Sequence, residues 1–213
     1  MVCCSYRGYW TSKGRPSERG IFRDAEAALG WIKSDHEHHS RNRPVQVIIW
    51  GQSIGAGVAA NLASQQDPLS KGLWIRALIL ETPFLSIKAM LETLYPQKWL
   101  PYRYLWPFLR NHLDSSKALG LLGDNIIAKG ARVPKVLILE AGRDELVPRS
   151  HGDMLERRCI DVGLAVERQV VGSALHNEIL VRPGGRNAVV EAIRNSGKTT
   201  YHKKSGEQVE CHG

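Results

Sequence analysis

The chain has 213 residues, 43% of them hydrophobic, and a formal net charge of +8 at pH 7. This length and composition suit one ordinary globular domain with a core of its own. The basic residues are spread along the chain and no stacking or groove-reading motif accompanies them, so we do not expect nucleic-acid binding. A solvated surface accounts for the charge most simply, and peripheral contact with an anionic membrane or an acidic partner is the alternative.

The cysteine pattern indicates a reducing compartment. Cys3, Cys4, Cys159 and Cys211 have neither metal-ligand spacing nor the density of a disulfide framework. No apolar run is long enough to cross a bilayer, and the first residues lack the organisation of a signal peptide. The sequence as written therefore predicts a cytoplasmic protein.

In chain order, the first predicted element is a strand in the short apolar run over residues 1–6. A loop follows, and Ser17 at its end is a plausible N-cap for a helix over 18–34, where apolar residues recur at helical spacing. Residues 36–39 include three histidines but lack the H-E-x-x-H spacing of a zinc protease. They predict a solvated connection and no metal site.

Three apolar runs predict buried strands of a sheet, and they cover residues 45–50, 74–80 and 133–140. A fourth strand is predicted over residues 165–171. Further helices are predicted over residues 56–63, 150–162 and 187–193. Strand, helix, strand is the period of a parallel α/β sheet, which is the predicted fold class.

The first of these strands runs into Gly51-Gln52-Ser53-Ile54-Gly55, which fits the G-x-S-x-G pattern of a nucleophile elbow. In an elbow, a serine is held on a sharp turn between a strand and a helix. We expect the flanking glycines to be required because side chains there would collide with the backbone around the turn. The N-terminus of the following helix directs partial positive charge at the serine, which favours a developing oxyanion.

A serine hydroxyl needs a base to take its proton and an acid to orient that base. Asp144 follows the third of the four predicted strands and His176 follows the fourth, so serine, acid and histidine come in the α/β-hydrolase order. Glu140 is a rival acid within the strand, and Glu145 is a second rival one position further on. His176 is the only histidine between the last strand and the last helix. The pattern predicts catalysis by Ser53 with Asp144 and His176.

Residues 82–119 are rich in aromatic side chains interleaved with prolines, which argues against one regular helix. Two alternatives stay open for this segment. It is either a cap over the serine that contacts an apolar substrate, or a structural excursion that covers the sheet.

Taken in order, several motifs resemble those of a known family. They are Y-R-G-Y-x-x-S-x-G-x-P-S-E-x-G, W-G-Q-S-I-G, L-E-T-P-F, G-R-D-E-L-V-P and L-H-N-E. Over residues 2–193 the chain resembles the fungal bud-emergence hydrolases of the α/β-hydrolase superfamily, whose animal relatives include protein depalmitoylases. The resemblance implies Ser53 as nucleophile, Asp144 as acid and His176 as base. It also implies the backbone N–H of Ile54 as one oxyanion donor, and it implies no cofactor.

The implied activity is that of a serine esterase or thioesterase. It would cleave acyl esters or acyl thioesters through an acyl-enzyme intermediate, and lipidated proteins are among the candidate substrates. The resemblance implies that family members are often anchored to membranes of the endoplasmic reticulum or the cell surface by an N-terminal segment, which is expected to be missing from the sequence as written. The resemblance names neither the acyl chain nor the oligomeric state.

The chain departs from the family pattern in two places. Trp10 stands where the family loop usually has glycine, which is expected to crowd the loop or to require another backbone conformation. The first three strands and the loop with the second oxyanion donor are expected to be missing. The first strand would then either pair directly with the elbow strand or leave that strand's edge open.

The expected organisation is therefore a partial α/β-hydrolase domain over residues 1–195 and a polar, basic, disordered tail over 196–213. Loss of one oxyanion donor typically costs about 10²–10³ in rate, so an impaired catalyst is expected. The competing hypothesis is a catalytically inactive interaction protein that retains the scaffold and binds a partner or a membrane surface.

Overall fold

The computed structural model describes residues 1–39, 43–94 and 112–196, and the backbone of 199–202 and 208–211. The helices in these ranges are α1 (Glu18–His39), α2 (Ile54–Gln65), α3 (Ile87–Leu94), α4 (Ser115–Lys129), α5 (Arg149–Asp161) and α6 (Pro183–Asn195), with a 3₁₀ turn at Ile179–Val181. The strands are β1 (Val45–Gln52), β2 (Leu73–Glu81), β3 (Arg132–Val133), β4 (Lys135–Ala141), β5 (Ala165–Val171), β6 (Thr199–His202) and β7 (Gln208–Cys211).

The main sheet has four strands in the order β1-β2-β4-β5, and each neighbouring pair is parallel. Parallel neighbours need a crossover connection, which α2 supplies between β1 and β2 and α5 supplies between β4 and β5. Because helices cover both faces of such a sheet, β1, β2 and β4 consist mostly of apolar residues, whereas β5 has Glu167, Arg168 and Gln169 at its centre. The four predicted strands are confirmed, with bounds that differ by at most two residues.

The core lies on both faces of this sheet. On one face, Leu78 and Leu80 of β2 pack in a cluster with α2, α4 and α5, which includes the fully buried Cys159. On the other face, Ile79 packs in a cluster with Ala188 and Val189 of α6. Helix α2 contributes alanines to the first cluster, so it can approach the sheet closely, as the sequence predicts.

Residues 1–6 do not form a strand, so that prediction is wrong. Residues 1–5 are exposed, and no strand in the described part of the chain pairs with them to supply the hydrogen bonds that a strand needs. The loop that follows is fastened to α1, because Arg7 Nη2 lies 2.6 Å from Asp24 Oδ1. Among the described residues, β1 therefore pairs only with β2, and its other edge is open.

Trp10 has a φ of 51°, in the left-handed region that glycine favours. Its side chain is 94% exposed, so it does not crowd the loop. The departure from glycine at this position is accommodated by solvent exposure of the ring, at the expense of an unfavourable backbone conformation.

Helix α1 extends to His39, so the prediction that residues 36–39 form a connection after the helix is wrong. The imidazole of His39 donates a hydrogen bond to the carbonyl of Asp35 at 2.8 Å, and that of His36 donates to the carbonyl of Arg43 at 3.1 Å. Donors and positive charge are favourable at the C-terminal end of a helix, which explains why the histidines prolong it.

Two predicted segments are described only in part. Of the predicted cap over 82–119, the structure describes α3, a bridge between Ser86 and Asp114, and the start of α4. Residues 95–111 lie outside the described residues, so the cap stays a prediction. Within the predicted tail, β6 pairs with β3 and β7 in a small antiparallel sheet, and the disordered tail likewise stays a prediction.

None of the described helices is both long enough and apolar enough to span a bilayer.

Candidate active site

Ser53 lies at the junction between β1 and α2, with a φ of 52° and a ψ of −114°. This conformation is strained for a residue with a side chain and has to be held by its surroundings. The Ser53 N–H donates to the carbonyl of Glu81 at 2.8 Å, and the Ser53 carbonyl accepts from the N–H of Ala56 at 2.9 Å. The turn is therefore fixed from the strand side and from the helix side, as a nucleophile elbow requires.

The two glycines of the elbow differ in what they contribute. A Cβ on Gly51 would lie 2.0 Å from the carbonyl oxygen of Gly55, so any side chain at position 51 would force the backbone apart. A Cβ on Gly55 would meet no atom of the described residues within 4 Å, apart from its own helix backbone. The predicted steric reason is thus correct for Gly51 and wrong for Gly55.

His176 and Asp144 are in direct contact. Nδ1 of His176 lies 2.9 Å from Oδ2 and 3.0 Å from Oδ1 of Asp144, and the two side chains are only 4% and 6% exposed. Asp144 Oδ1 also accepts hydrogen bonds from the backbone N–H groups of Leu146 at 2.9 Å and Val147 at 2.8 Å. Because an ionised carboxylate only accepts, Nδ1 carries the proton and Nε2 is left able to act as a base.

The loops that carry these two residues are fastened to each other through their backbones. The N–H of Gly142 donates to the carbonyl of Val171 at 2.8 Å, and the N–H of Arg143 donates to the carbonyl of Ala174 at 2.9 Å. A Cβ on Gly142 would lie 2.5 Å from the Cα of Gly172, so the two chains approach more closely than a side chain allows. This contact sets the distance between the loop after β4 and the loop after β5.

Both rival acids have other partners. Glu145 Oε2 accepts the backbone N–H of His176 at 3.0 Å, so it holds the main chain of the histidine and not its ring. Glu140 forms an ion pair with Arg168 of β5. Of the three carboxylates weighed from the sequence, Asp144 is the one in contact with the imidazole.

Gln52 connects the serine to the histidine loop. Its Nε2 donates to the carbonyl of His176 and to Oδ1 of Asn177, both at 3.4 Å. The residue directly before Ser53 thus touches the loop that carries His176. The Ser53 hydroxyl itself makes no hydrogen bond to any residue that the structure describes. Such contacts are often long in ligand-free enzymes and tighten when substrate binds.

The predicted oxyanion donor is the first residue of α2. Ile54 begins that helix, and its side chain is 43% exposed. The first N–H groups of a helix have no partner within the helix and carry its partial positive charge, so this N–H is suited to bind an anion.

Glu81 is a candidate site residue that the sequence analysis did not identify. It ends β2 with only 3% of its surface exposed, and its Oε2 accepts a hydrogen bond from Nε1 of Trp50 at 3.2 Å. Burial raises the pKa of the Glu81 carboxyl, and the Trp50 hydrogen bond and the nearby His176 act in the opposite direction. The available signal was its position, because an acidic residue closes an apolar strand.

A second buried imidazole lies away from the Asp144 contact. His151 of α5 accepts a hydrogen bond at Nδ1 from the backbone N–H of Leu85 at 3.4 Å, and burial lowers its pKa. Within the described ranges, no three or more His, Cys, Asp or Glu side chains form a group that could hold a metal ion.

A family model of the alpha/beta hydrolase fold matches residues 20–180, so the chain belongs to the α/β-hydrolase fold family. The resemblance to the bud-emergence hydrolases is also confirmed. Protein bem46 of Schizosaccharomyces pombe is 43% identical over 93 residues, which cover 43% of this chain and 28% of that protein.

Two further relatives match over longer stretches. An uncharacterised protein of Mycobacterium tuberculosis is 32% identical over 195 residues, which cover 91% of this chain and 58% of that protein. Lysophosphatidylserine lipase ABHD12 of Danio rerio is 37% identical over 159 residues, which cover 73% of this chain and 38% of the lipase. The chain thus spans less than two thirds of the length of these relatives.

Solved structures confirm the fold. An α/β hydrolase from Vibrio vulnificus superimposes on this chain with a TM-score of 0.65 at 20% sequence identity. The superposition covers 88% of this chain and 61% of the Vibrio protein. The esterase Pf2001 of Pyrococcus furiosus superimposes with a TM-score of 0.61 at 20% sequence identity. The superposition covers 89% of this chain and 66% of the esterase. The predicted α/β-hydrolase fold, a mostly parallel sheet with flanking helices, is therefore correct.

Proposed function

We propose that this chain carries the catalytic residues of a serine hydrolase that cleaves acyl esters or acyl thioesters. The observation that carries the proposal is the buried contact between His176 Nδ1 and the Asp144 carboxylate. The loop that carries His176 is contacted by Gln52, the residue directly before Ser53 on its strained turn. This combination is what a hydroxyl needs to become a nucleophile, namely an oriented base and a fixed position.

The reaction would proceed in two halves. Nε2 of His176 takes the hydroxyl proton while Ser53 Oγ attacks the acyl carbonyl carbon, and the same nitrogen returns the proton to the leaving alcohol or thiol. Water then attacks the acyl-enzyme, giving up its proton to His176, and Ser53 is regenerated with release of the acid. The N–H of Ile54 and the N-terminal end of α2 would stabilise the negative oxygen in each half.

An apolar acyl group is the substrate class that the surroundings of the site favour. Several large apolar side chains on the site elements are more than a third exposed, and they are Trp50, Ile54, Leu146 and Leu175. Such surface is suited to bind hydrocarbon, whose burial contributes about 25 cal/mol per Å². The name of the zebrafish relative, a lysophosphatidylserine lipase, points to lipid esters in the same way.

The test is covalent labelling by a fluorophosphonate probe, which reacts with activated serines. We would compare the unaltered chain with Ser53→Ala, His176→Ala and Ser150→Ala, the last removing an exposed serine in the first turn of α5. We expect labelling of the unaltered chain and of Ser150→Ala, and its loss in the other two variants. A panel of acyl esters, acyl thioesters and lysophospholipids of increasing chain length would then define the substrate.

Two results would contradict the proposal. Labelling that persists in Ser53→Ala would place the nucleophile elsewhere. An unaltered chain that is folded by circular dichroism but unlabelled would favour the alternative of an inactive scaffold. Salt-sensitive co-sedimentation with anionic vesicles would then test membrane-surface binding.

A further inference from the structure

Glu81 lies on the same face of the sheet as the histidine loop. It pairs in register with Gln52 of β1, and paired residues of parallel strands project to the same side. The Gln52 side chain reaches the carbonyl of His176, so the side of the sheet to which Glu81 projects is the side on which His176 lies. The backbone carbonyl of Glu81 also accepts the N–H of Ser53 at 2.8 Å.

The Glu81 carboxyl is buried at the end of an apolar surface. Ile79, two residues earlier on the same face, is fully buried in a cluster with Leu137 and Leu139. A carboxylate in such surroundings is costly unless it has partners. Its hydrogen-bond partner is the indole N–H of Trp50 at 3.2 Å. The pKa of Glu81 is raised by burial, and the Trp50 hydrogen bond and the charge of a protonated His176 both oppose that rise.

The charge on His176 changes during acyl transfer, because the imidazole becomes an imidazolium at each attack. The charged groups of the loops around it are Arg143, Asp144, Glu145 and Glu178. Asp144 contacts the ring at Nδ1, and Glu145 holds its backbone. Glu81 adds a negative charge from the sheet, in a site where low exposure makes electrostatic interactions stronger than in water.

We propose that Glu81 is a positioning residue of this site, whose carboxylate, held by Trp50, stabilises the imidazolium of His176 alongside Asp144. The inference rests on the proposed hydrolase function and adds a second carboxylate to it. It also gives Trp50 a role, since its indole fixes the direction of the carboxylate while leaving the charge in place.

Glu81→Gln removes the negative charge of the carboxylate but keeps the hydrogen bond, because the amide oxygen can still accept from the indole N–H of Trp50. We would measure the pH dependence of ester hydrolysis and of fluorophosphonate labelling between pH 5 and 9. The matched control is Glu26→Gln, which removes an exposed carboxylate on α1. Glu81→Asp keeps the charge, and Glu81→Met gives a neutral side chain of similar length if the amide does not fold.

We expect the neutral variants to lower the maximal rate about 3- to 10-fold, since a charge stabilising the transition state is lost. We also expect the acid limb of the profile to move to lower pH by about half a unit to one unit, because a nearby carboxylate favours the protonated imidazole. The pH at which the rate falls on the acid side should be unchanged in Glu81→Asp and in Glu26→Gln. A purely structural role would lower the rate at every pH without moving the limb.

The outcomes distinguish the two proposals. An active unaltered chain whose acid limb does not move in the neutral variants would overturn the role of Glu81 and leave the hydrolase function intact. An unaltered chain that neither hydrolyses esters nor reacts with the probe would overturn both.

Discussion

The two halves of the candidate site are held in different ways. His176 and Asp144 are buried, are in contact with each other, and lie on loops whose backbones are hydrogen-bonded together. Ser53 is half-buried on a strand whose second edge is open among the described residues, and it is held by its strained turn and by β2. His176, the proposed base, is therefore positioned by many contacts, and Ser53, the proposed nucleophile, is positioned by the path of its backbone.

The largest effect is expected from Asp144→Asn, which tests whether His176 is positioned by its contact with Asp144. The amide oxygen can still accept the N–H groups of Leu146 and Val147, so we expect the free energy of unfolding to change by no more than about 1 kcal/mol. The amide cannot hold the imidazole in the required tautomer, and we expect the rate of ester hydrolysis to fall about 10⁴-fold. Glu145→Gln should cost far less, because Glu145 touches only the backbone of His176. Equal losses in the two variants would contradict the assignment of the acid.

The serine half is tested by its two glycines. Gly51→Ala places a methyl group against the backbone of Gly55, and we expect it to lower the free energy of unfolding by about 3 kcal/mol or more. The methyl group of Gly55→Ala meets no other described residue within 4 Å, so this variant should change that free energy by less than about 1 kcal/mol, in the stabilising direction. Urea unfolding and probe labelling measure both effects. Similar behaviour of the two variants would argue against the geometry of the elbow.

An equivalent pair of glycines tests the acid–base half. Gly142→Ala pushes against the backbone of Gly172, and we expect a loss of about 2 kcal/mol together with at least about tenfold slower hydrolysis, because the two loops move apart. Gly172→Ala has no atom within 4 Å of the added carbon and is the control. If stability fell without any loss of rate, the loop contact would not position the pair.

The smallest effect is expected at His151, which links the helix after the acid loop to the loop after β2. Burial lowers its pKa in the folded protein, so below about pH 6.5 the unfolded chain takes up a proton that the folded protein does not. Stability therefore falls as the pH drops, by at most about 1.4 kcal/mol per pH unit from this group. His151→Asn keeps an acceptor for Leu85 and should reduce the loss of stability between pH 7 and 5, measured by urea unfolding.

The sequence predicted what depends on local pattern. β1, β2 and β4 were evident because a strand covered on both faces is mostly apolar, and β4 is buried at every position but its first. Ser53, Asp144 and His176 could be selected as candidates because each follows a strand of a parallel sheet, and the ends of such strands share one edge. The structure brings Asp144 and His176 into contact, and their catalytic roles stay a proposal.

Side-chain partners were beyond the reach of the sequence. Gln52, Glu81 and Glu145 each occur in a motif that drew attention, yet their contacts depend on which strands are neighbours and on how the loops are directed. Residues 1–6 have strand-like composition, but composition does not supply the neighbouring strand that would hold them. Gly55 shows that a motif position can lack the steric reason usually given for it.

The buried thiol of Cys159 can report how often helix α5 separates from the core. Burial raises its pKa to about 12, so almost no reactive thiolate is present at neutral pH while α5 stays packed on the sheet. In a variant with serine at positions 3, 4 and 211, a thiol reagent would react only at moments when α5 separates from the core. Because α5 directly follows the acid loop, the rate of alkylation would measure how often the acid–base half of the site comes apart.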